Sequence, residues 1–166
     1  MTQANVLLDG LDLGDGFGTD GSQYLTFRLG NECYGLPILA VQEIKSYVEP
    51  TPVPHAPHWV TGIINLRGTV VPVVDLRRRF SLRAADIEKT TVVIVVQLDG
   101  RLAGLVVDAV SDVIAIAPGD IQPPPALGAA VDATCLCGLS TTGDQFVLLL
   151  DVARLIETGL DIPSGI

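Results

Sequence analysis

The chain contains the stretch Leu29-Gly-Asn-Glu-Cys-Tyr-Gly-Leu-Pro-Ile-Leu-Ala-Val-Gln-Glu-Ile44 and, 69 residues later, the related stretch Leu98-Asp-Gly-Arg-Leu-Ala-Gly-Leu-Val-Val-Asp-Ala-Val-Ser-Asp-Val113. Five aligned positions carry the same residue in both: Leu29/Leu98, Gly35/Gly104, Leu36/Leu105, Ala40/Ala109 and Val41/Val110. Self-similarity at one spacing is typical of a structural unit that occurs twice. The two stretches therefore predict an internal repeat.

A second set of matches extends the repeat toward the end of each copy. With a shift of 76 residues, Gly62 aligns with Gly138 and Asp75 with Asp151. Chance similarity among valine-rich strands is the competing explanation, but the order of hairpin, proline-rich connection, hairpin and acidic cap is the same in both copies. Each copy has about 60 residues, the size of a small five-stranded barrel that buries little surface by itself. We therefore expect the two copies to pack together.

Short apolar strands separated by tight turns account for most of the chain after residue 22. Gly30-Asn31 and Asp99-Gly100 each lie between two such strands and are hairpin signals. An acidic residue can cap the first turn of a helix, so short helices are predicted after Asp75 and Asp151. Prolines at 50–57 cannot continue a β-ladder and are predicted to form a connection. The predicted fold class is all-β with short helices.

The first 22 residues differ in composition from the rest of the chain. They hold Asp9, Asp12, Asp15 and Asp20, five glycines and no basic residue. Because glycine costs backbone entropy and like charges repel, this segment is predicted to be a disordered acidic leader. The remaining prediction is one domain at 23–158, with repeat one at about 23–80, repeat two at about 92–156, strands exchanged between the repeats, and a tail at 159–166.

The net charge of −9 argues against nucleic acid or an anionic membrane surface as the main partner. Six of the ten basic residues lie between Arg67 and Lys89. Those from Arg77 to Arg83 fit a solvated helix face, with a polar contact zone for a protein partner as the alternative. No apolar run approaches the roughly 18 residues of a membrane helix, and a secretory signal pattern is absent. We expect a cytoplasmic protein without direct membrane insertion.

Catalytic and metal chemistry finds little support in the sequence. A zinc site could in principle use Cys135 and Cys137 with His55 and His58, but the cysteines fit small buried side chains and the histidines fit a proline-rich loop. Nucleophilic catalysis needs a serine or cysteine beside a base, and the two histidines of the chain both lie in one proline-rich loop. We therefore predict no catalytic residues, no cofactor and no metal, and keep a small metal protein or enzyme built on Cys135 and Cys137 as the alternative of another class.

The order of several motifs resembles the CheW family of chemotaxis coupling proteins. The opening motifs are Gln23-Tyr-Leu-Thr-Phe-Arg-Leu-Gly30, Tyr34-Gly35 and Val41-Gln-Glu-Ile44. The most distinctive motif is Gly62-Ile-Ile-Asn-Leu-Arg-Gly-Thr-Val-Val-Pro-Val-Val-Asp-Leu76, followed by Thr91-Val-Val-Ile-Val-Val96, Gly104-Leu-Val-Val-Asp108 and Val110-Ser-Asp-Val113. The resemblance covers about residues 23–156.

What the resemblance implies is a fold of two intertwined SH3-like five-stranded barrels with a hydrophobic seam between them. It also implies a non-catalytic adaptor that couples a CheA-type histidine kinase, through the regulatory domain of the kinase, to the cytoplasmic tip of methyl-accepting chemoreceptors. Such a protein would be cytoplasmic and recruited to membrane receptor arrays. A paralogous coupling protein of a pilus-motility or surface-sensing array is the alternative.

Family positions carried onto this chain suggest two groups of contact residues. The predicted kinase contacts are Val41, Glu43, Arg67 and Gly68, and the predicted receptor contacts are Gly104, Val110 and Val113. The alternative for the valines is a plain core role, and for the glycines a requirement of backbone geometry. Arg67 aligns with Gly143 in the second repeat, so the turn itself does not require arginine, and Glu43 is a plausible intramolecular or cross-interface partner of Arg67.

Overall fold

The structure is a computed structural model that describes residues 22–80, 87–98, 100–123 and 136–159. The predicted leader, apart from Ser22, and the predicted tail, apart from Gly159, lie outside the described residues. The domain boundaries therefore stay predictions.

Ten strands and two helices follow one another along the described chain. The strands are β1 Ser22–Leu29, β2 Glu32–Pro37, β3 Val41–Ser46, β4 Val60–Leu66, β5 Thr69–Asp75, β6 Val92–Leu98, β7 Arg101–Val107, β8 Ala109–Ile116, β9 Leu136–Thr142 and β10 Gln145–Leu150. Helix α1 spans Leu76–Arg79 and helix α2 spans Val152–Gly159, and 3-10 turns lie at Ile38–Ala40 and Pro118–Asp120. Both helices follow the predicted capping residues, and Asp75 accepts a hydrogen bond from the backbone N–H of Arg77.

The strands form two five-stranded sheets that exchange strands between the repeats. Sheet one has the order β8-β1-β2-β10-β9, and sheet two has the order β3-β6-β7-β5-β4. The strand correspondence of the repeat pairs β1 with β6, β2 with β7, and so on to β5 with β10. Each sheet therefore contains the first two strands of one copy and the last three strands of the other copy. The parallel pairs β2–β10 and β5–β7 join the two copies within each sheet. The predicted all-β fold with two intertwined barrels is confirmed.

The valine-rich strands have two buried faces, which explains why they lack alternation of polar and apolar residues. In β6, Val93 and Val95 face a small core within sheet two, whereas Ile94 and Val96 face a larger core. The larger core, called the shared core below, takes side chains from both sheets and forms the seam between them. Sheet one has its own small core of Cys33, Ile116, Val147 and Leu149.

An aromatic stack occupies the shared core. The rings of Phe27 and Tyr34 lie 6.0 Å apart, and those of Tyr34 and Phe80 lie 5.5 Å apart. Phe27 and Tyr34 come from sheet one, and Phe80 follows helix α1 at the end of β5 in sheet two. Offset aromatic pairs of this kind add to the free energy gained by burial. The stack therefore ties the first hairpin to the other sheet.

The connection before β4 in the first repeat and the connection before β9 in the second are held by equivalent contacts. Thr51 forms an isolated β-bridge with Ile63, and Gln122 forms one with Leu139. At Gly62 the backbone has φ +154°, and a Cβ there would collide with the carbonyl oxygen of Thr51. The close approach of the two chain segments explains this glycine.

The prediction that the arginines from Arg77 onward form a solvated helix face is wrong for the first of them. The side chain of Arg77 is only 3% exposed and pairs with Asp75 and Asp108. Arg79 lies over the ring of Trp59 at 4.9 Å, and Arg78 donates to the carbonyl oxygen of His58 at 3.1 Å. The described arginines of α1 thus hold neighbouring segments of the fold, which three consecutive basic residues in the sequence do not reveal.

Candidate functional site

The turn between β4 and β5 places an arginine in a conformation that usually belongs to glycine. Arg67 has φ +52° and Gly68 has φ +88°, as a two-residue hairpin turn with both central residues left-handed requires. The N–H of Gly68 donates to Asn65 Oδ1 at 2.8 Å, which fixes the turn. In the second repeat the same position is Gly143, with φ +62°. The backbone would be relaxed with glycine at position 67, so the turn gives no reason for arginine.

Arg67 forms an ion pair with Glu43 on the opposite edge of sheet two. The distance from Arg67 Nη2 to Glu43 Oε2 is 2.8 Å, and a longer contact of 3.5 Å joins Nη1 to Oε1. β3 and β4 are the two edge strands of sheet two, so this contact requires the sheet to curl until its edges meet. The ion pair thus lies where the edges of sheet two meet and close the second barrel. A charge-assisted contact through two guanidinium nitrogens suits arginine at this place.

The two partners of this ion pair differ in exposure. The side chain of Glu43 is 8% exposed, whereas that of Arg67 is 66% exposed. Arg67 therefore covers the carboxylate while its own guanidinium faces solvent with unused donors. A second exposed residue, Val70, lies just beyond the same turn. The tip of the β4–β5 hairpin thus combines a fixed guanidinium with an apolar side chain.

Val41 lies on the edge strand β3, where a β-bulge separates it from Glu43. It is partly buried and packs against the shared core. Gly68 is exposed, and a Cβ built on it would meet no atom within 4 Å, although its φ of +88° is unfavourable for other residues. The structure thus brings Glu43, Arg67 and Gly68 together at one barrel edge, with Val41 beside Glu43 on the same strand.

The predicted receptor contacts do not all lie at one place. Val110 and Val113 are on β8, an edge strand of sheet one, and both are partly buried against the shared core. Gly104 is instead buried in β7 within sheet two, where an added Cβ would lie 2.8 Å from Val93 Cγ1. Packing between strands is sufficient to explain this glycine. A receptor contact at these three positions stays a prediction.

The sequence did not predict the buried ionic cluster of Asp75, Arg77 and Asp108. Arg77 donates from Nε to Asp75 Oδ1 and from Nη2 to Asp75 Oδ2, both at 3.0 Å. Its Nη1 donates to Asp108 Oδ1 at 3.3 Å, and Asp108 Oδ2 accepts from the N–H of Gly30 at 2.7 Å. The hydrogen bond to Asp75 is the main cause that raises the pKa of Arg77. Asp108 is the single residue between β7 and β8, so the cluster holds the chain where it passes from sheet two to sheet one.

The residues considered for a metal site are only partly described. Cys135 lies outside the described residues. Cys137 is exposed, so the prediction of a small buried side chain is wrong for this residue. Partial burial of its thiol, reinforced by the Asp151 carboxylate, still raises the pKa of Cys137. The described residues contain no group of three or more His, Cys, Asp or Glu side chains that could hold a metal ion. In the same ranges, no helix is long and apolar enough to cross a membrane.

Comparison with known proteins identifies the family. Residues 23–159 match the family model described as the CheW-like domain. The chain belongs to the CheW family. It is 39% identical over 140 residues to a chemotaxis protein CheW of Klebsiella aerogenes, covering 84% of each chain. It is 37% identical over 132 residues to a chemotaxis protein CheW of Rhizobium meliloti, covering 80% of this chain and 85% of the relative.

A solved CheW structure has the same architecture. The scaffolding protein TtCheW from Thermoanaerobacter tengcongensis superimposes with a TM-score of 0.75 at 35% identity, over 82% of this chain and 88% of the other. The predictions of family, fold class and a coupling role in chemotaxis are confirmed. The CheW family is a family of scaffold proteins, and the individual contact residues of this member stay predictions.

Proposed function

We propose that this CheW-family protein couples the regulatory domain of a CheA-type histidine kinase to the cytoplasmic tip of methyl-accepting chemoreceptors. In this proposal it acts in the cytoplasm, is recruited to membrane receptor arrays, and uses no catalytic residue, cofactor, metal or nucleic acid. The observation that carries the proposal is Arg67, an exposed guanidinium held in a left-handed turn where the second repeat has glycine.

The kinase surface is the closing edge of the second barrel. It consists of Val41, Glu43, Arg67 and Gly68. Glu43 holds one side of the Arg67 guanidinium, so the remaining donors point in a fixed direction before any partner arrives. A preorganised arginine loses little side-chain entropy on binding, which is why such residues often dominate interfaces. Exposed Val70 adds apolar area beside it.

The receptor surface is the edge strand β8, with the partly buried Val110 and Val113 as its apolar contacts. Gly104, the third predicted receptor contact, is buried in β7 of sheet two and would act through the packing of that sheet. Val110 is the repeat counterpart of Val41, so the two surfaces use equivalent edges of the two sheets. A rigid core joins these edges, and binding at one brings the second partner within intramolecular reach of the first. Coupling then follows from geometry alone.

Titration calorimetry with two separate probes tests the assignment. The probes are an isolated kinase regulatory domain and a receptor cytoplasmic fragment from the same cell. Arg67→Ala should weaken kinase binding by roughly 30- to 1000-fold, about 2–4 kcal/mol, if the contact is buried. Val113→Asp should weaken receptor binding and leave kinase binding unchanged.

Arg101→Ala is the matched control, because Arg101 is also an exposed arginine at a hairpin tip of sheet two. It should leave both affinities unchanged. Kinase binding by a folded Arg67→Ala variant at the parental affinity would refute the kinase surface. A pull-down from the native cell would distinguish a chemotaxis array from the pilus-motility alternative.

A further inference from the structure

An open groove of about 480 Å³ lies between the 3-10 turn Ile38–Ala40, the end of β6 and the start of α2. Its walls are mostly apolar and include Leu39, Leu98 and Val152. One acidic residue, Asp151, also lines it. The side chain of Leu39 is 86% exposed, which is unusual for a leucine in a protein with so large a core. None of the residues that line the groove is assigned to the kinase or receptor surface, although Ala40 precedes Val41 in the chain.

The internal repeat shows what occupies the equivalent place in the other half of the molecule. Asp151 is the counterpart of Asp75, and the parallel pairs β5–β7 and β2–β10 have equivalent registers. Ala153 is the counterpart of Arg77, and Leu39 is the counterpart of Asp108. The groove is therefore the twin of the buried cluster Asp75–Arg77–Asp108. The cluster is filled by the Arg77 side chain, and the groove contains only the methyl group of Ala153 at that position.

The first half of the protein thus shows a guanidinium seated in this local framework. Arg77 makes two 3.0 Å hydrogen bonds to the carboxylate of Asp75. In the second half, Asp151 Oδ1 accepts from the backbone N–H of Arg154 at 3.3 Å, as a helix cap does. Within the described residues, no guanidinium or ammonium group forms an ion pair with Asp151. In this part of the chain, the Asp151 carboxylate is present without the cation that Asp75 binds.

We propose that this groove is a docking site for an arginine side chain of another protein, presented between apolar residues. The guanidinium would pair with Asp151 as Arg77 pairs with Asp75. The apolar neighbours would cover Leu39 and Leu98, at the position where the twin has the second carboxylate, Asp108. Because Leu39 replaces that carboxylate, the site is suited to an arginine with apolar flanks and not to a cluster of basic residues. The net charge of −9 favours the approach of such a segment.

The probe for this site is the peptide acetyl-Ser-Leu-Arg-Leu-Ser-amide. Its control is the same peptide with citrulline, which is neutral but has nearly the shape of arginine. We expect the arginine peptide to shift the backbone amide resonances of Leu39 and Ala153 in the full protein. The citrulline peptide should bind at least about tenfold more weakly, since charge-assisted hydrogen bonds are about twice as strong as neutral ones.

Two variants test the assignment to Asp151 and Ala153. Asp151→Asn keeps a good helix cap and should weaken binding of the arginine peptide about tenfold. Ala153→Arg rebuilds the twin cluster inside the groove, so it should abolish peptide binding while the melting temperature is kept or raised. Asp120→Asn and Gln145→Arg make the same charge changes at exposed positions and should have no effect.

Several results would overturn the proposal. One is equal binding of the two peptides, and another is resonance shifts confined to other surfaces. Unchanged affinity in Asp151→Asn would do the same, even if Ala153→Arg failed to fold. If sedimentation shows a dimer that Ala153→Arg dissociates, the occupant is a second copy of this chain and the assignment to another protein is wrong.

Discussion

Replacing Arg67 by glycine and by alanine should separate its cost to the fold from its use in binding. A non-glycine residue in the left-handed region, here with φ +52°, costs about 1–2 kcal/mol. The ion pair with Glu43 contributes at most about 1 kcal/mol, because the Arg67 side chain is 66% exposed and solvent screens it. For Arg67→Gly the two effects oppose each other, so the free energy of unfolding should stay within about 1 kcal/mol of the parent value.

Arg67→Ala loses the ion pair and keeps the backbone cost. It should therefore be less stable than Arg67→Gly by about 1 kcal/mol, or roughly 2–4 °C in melting temperature for a chain of this size. Kinase affinity should fall equally in both variants, because both lack the guanidinium. This outcome would assign arginine at this turn to binding, at the expense of stability.

Thermal unfolding followed by circular dichroism, and calorimetry with the kinase regulatory domain, measure the two effects. The double variant Arg67→Gly, Glu43→Gln is the control for the unfolding measurement. It removes the charge that Glu43 would otherwise keep, buried and unpaired, once Arg67 is replaced. Equal melting temperatures of the alanine and glycine variants would contradict the backbone argument. Parental kinase affinity in either variant would contradict the interface argument.

Three further predictions concern the fold and its chemistry. Gly62→Ala should destabilise the protein by more than about 2 kcal/mol in urea unfolding, because its Cβ would collide with the Thr51 carbonyl, and a variant of parental stability would refute this close approach. Burial raises the pKa of Tyr34 from 10.0 to about 12. The unfolded chain therefore ionises first, and stability should fall as pH rises from 10 to 12; Tyr34→Phe should reduce this loss, and an unchanged alkaline profile would contradict it. Replacing both Cys135 and Cys137 by alanine should leave kinase binding intact, whereas stoichiometric zinc in the purified protein, lost with binding in the variant, would support the metal alternative.

The repeat, the strands and the helix caps could be predicted from the sequence because they depend on local patterns. Gly30-Asn31 marks a hairpin, and Asp75 and Asp151 mark the start of helices, through interactions within a few residues. The family could be identified for the same reason, since its motifs are continuous stretches such as 62–76.

Most contacts that join distant segments of the chain could not be predicted from the sequence. Arg77 looks like one of several surface arginines in the sequence, and only the fold brings Asp108 within 3.3 Å of it. The burial of Gly104 likewise depends on Val93 from a neighbouring strand.

The sequence by itself determined that two related units exist, that they are built of strands, and that one hairpin turn carries an unexpected arginine. The tertiary structure decided how those units share their strands, and so which positions face one another. Only there does the difference between Arg77 and Ala153 become a filled cluster in one half and an open groove in the other. The physical reason is that ion pairs and cavities depend on distances between segments far apart in the chain, which local propensity does not encode.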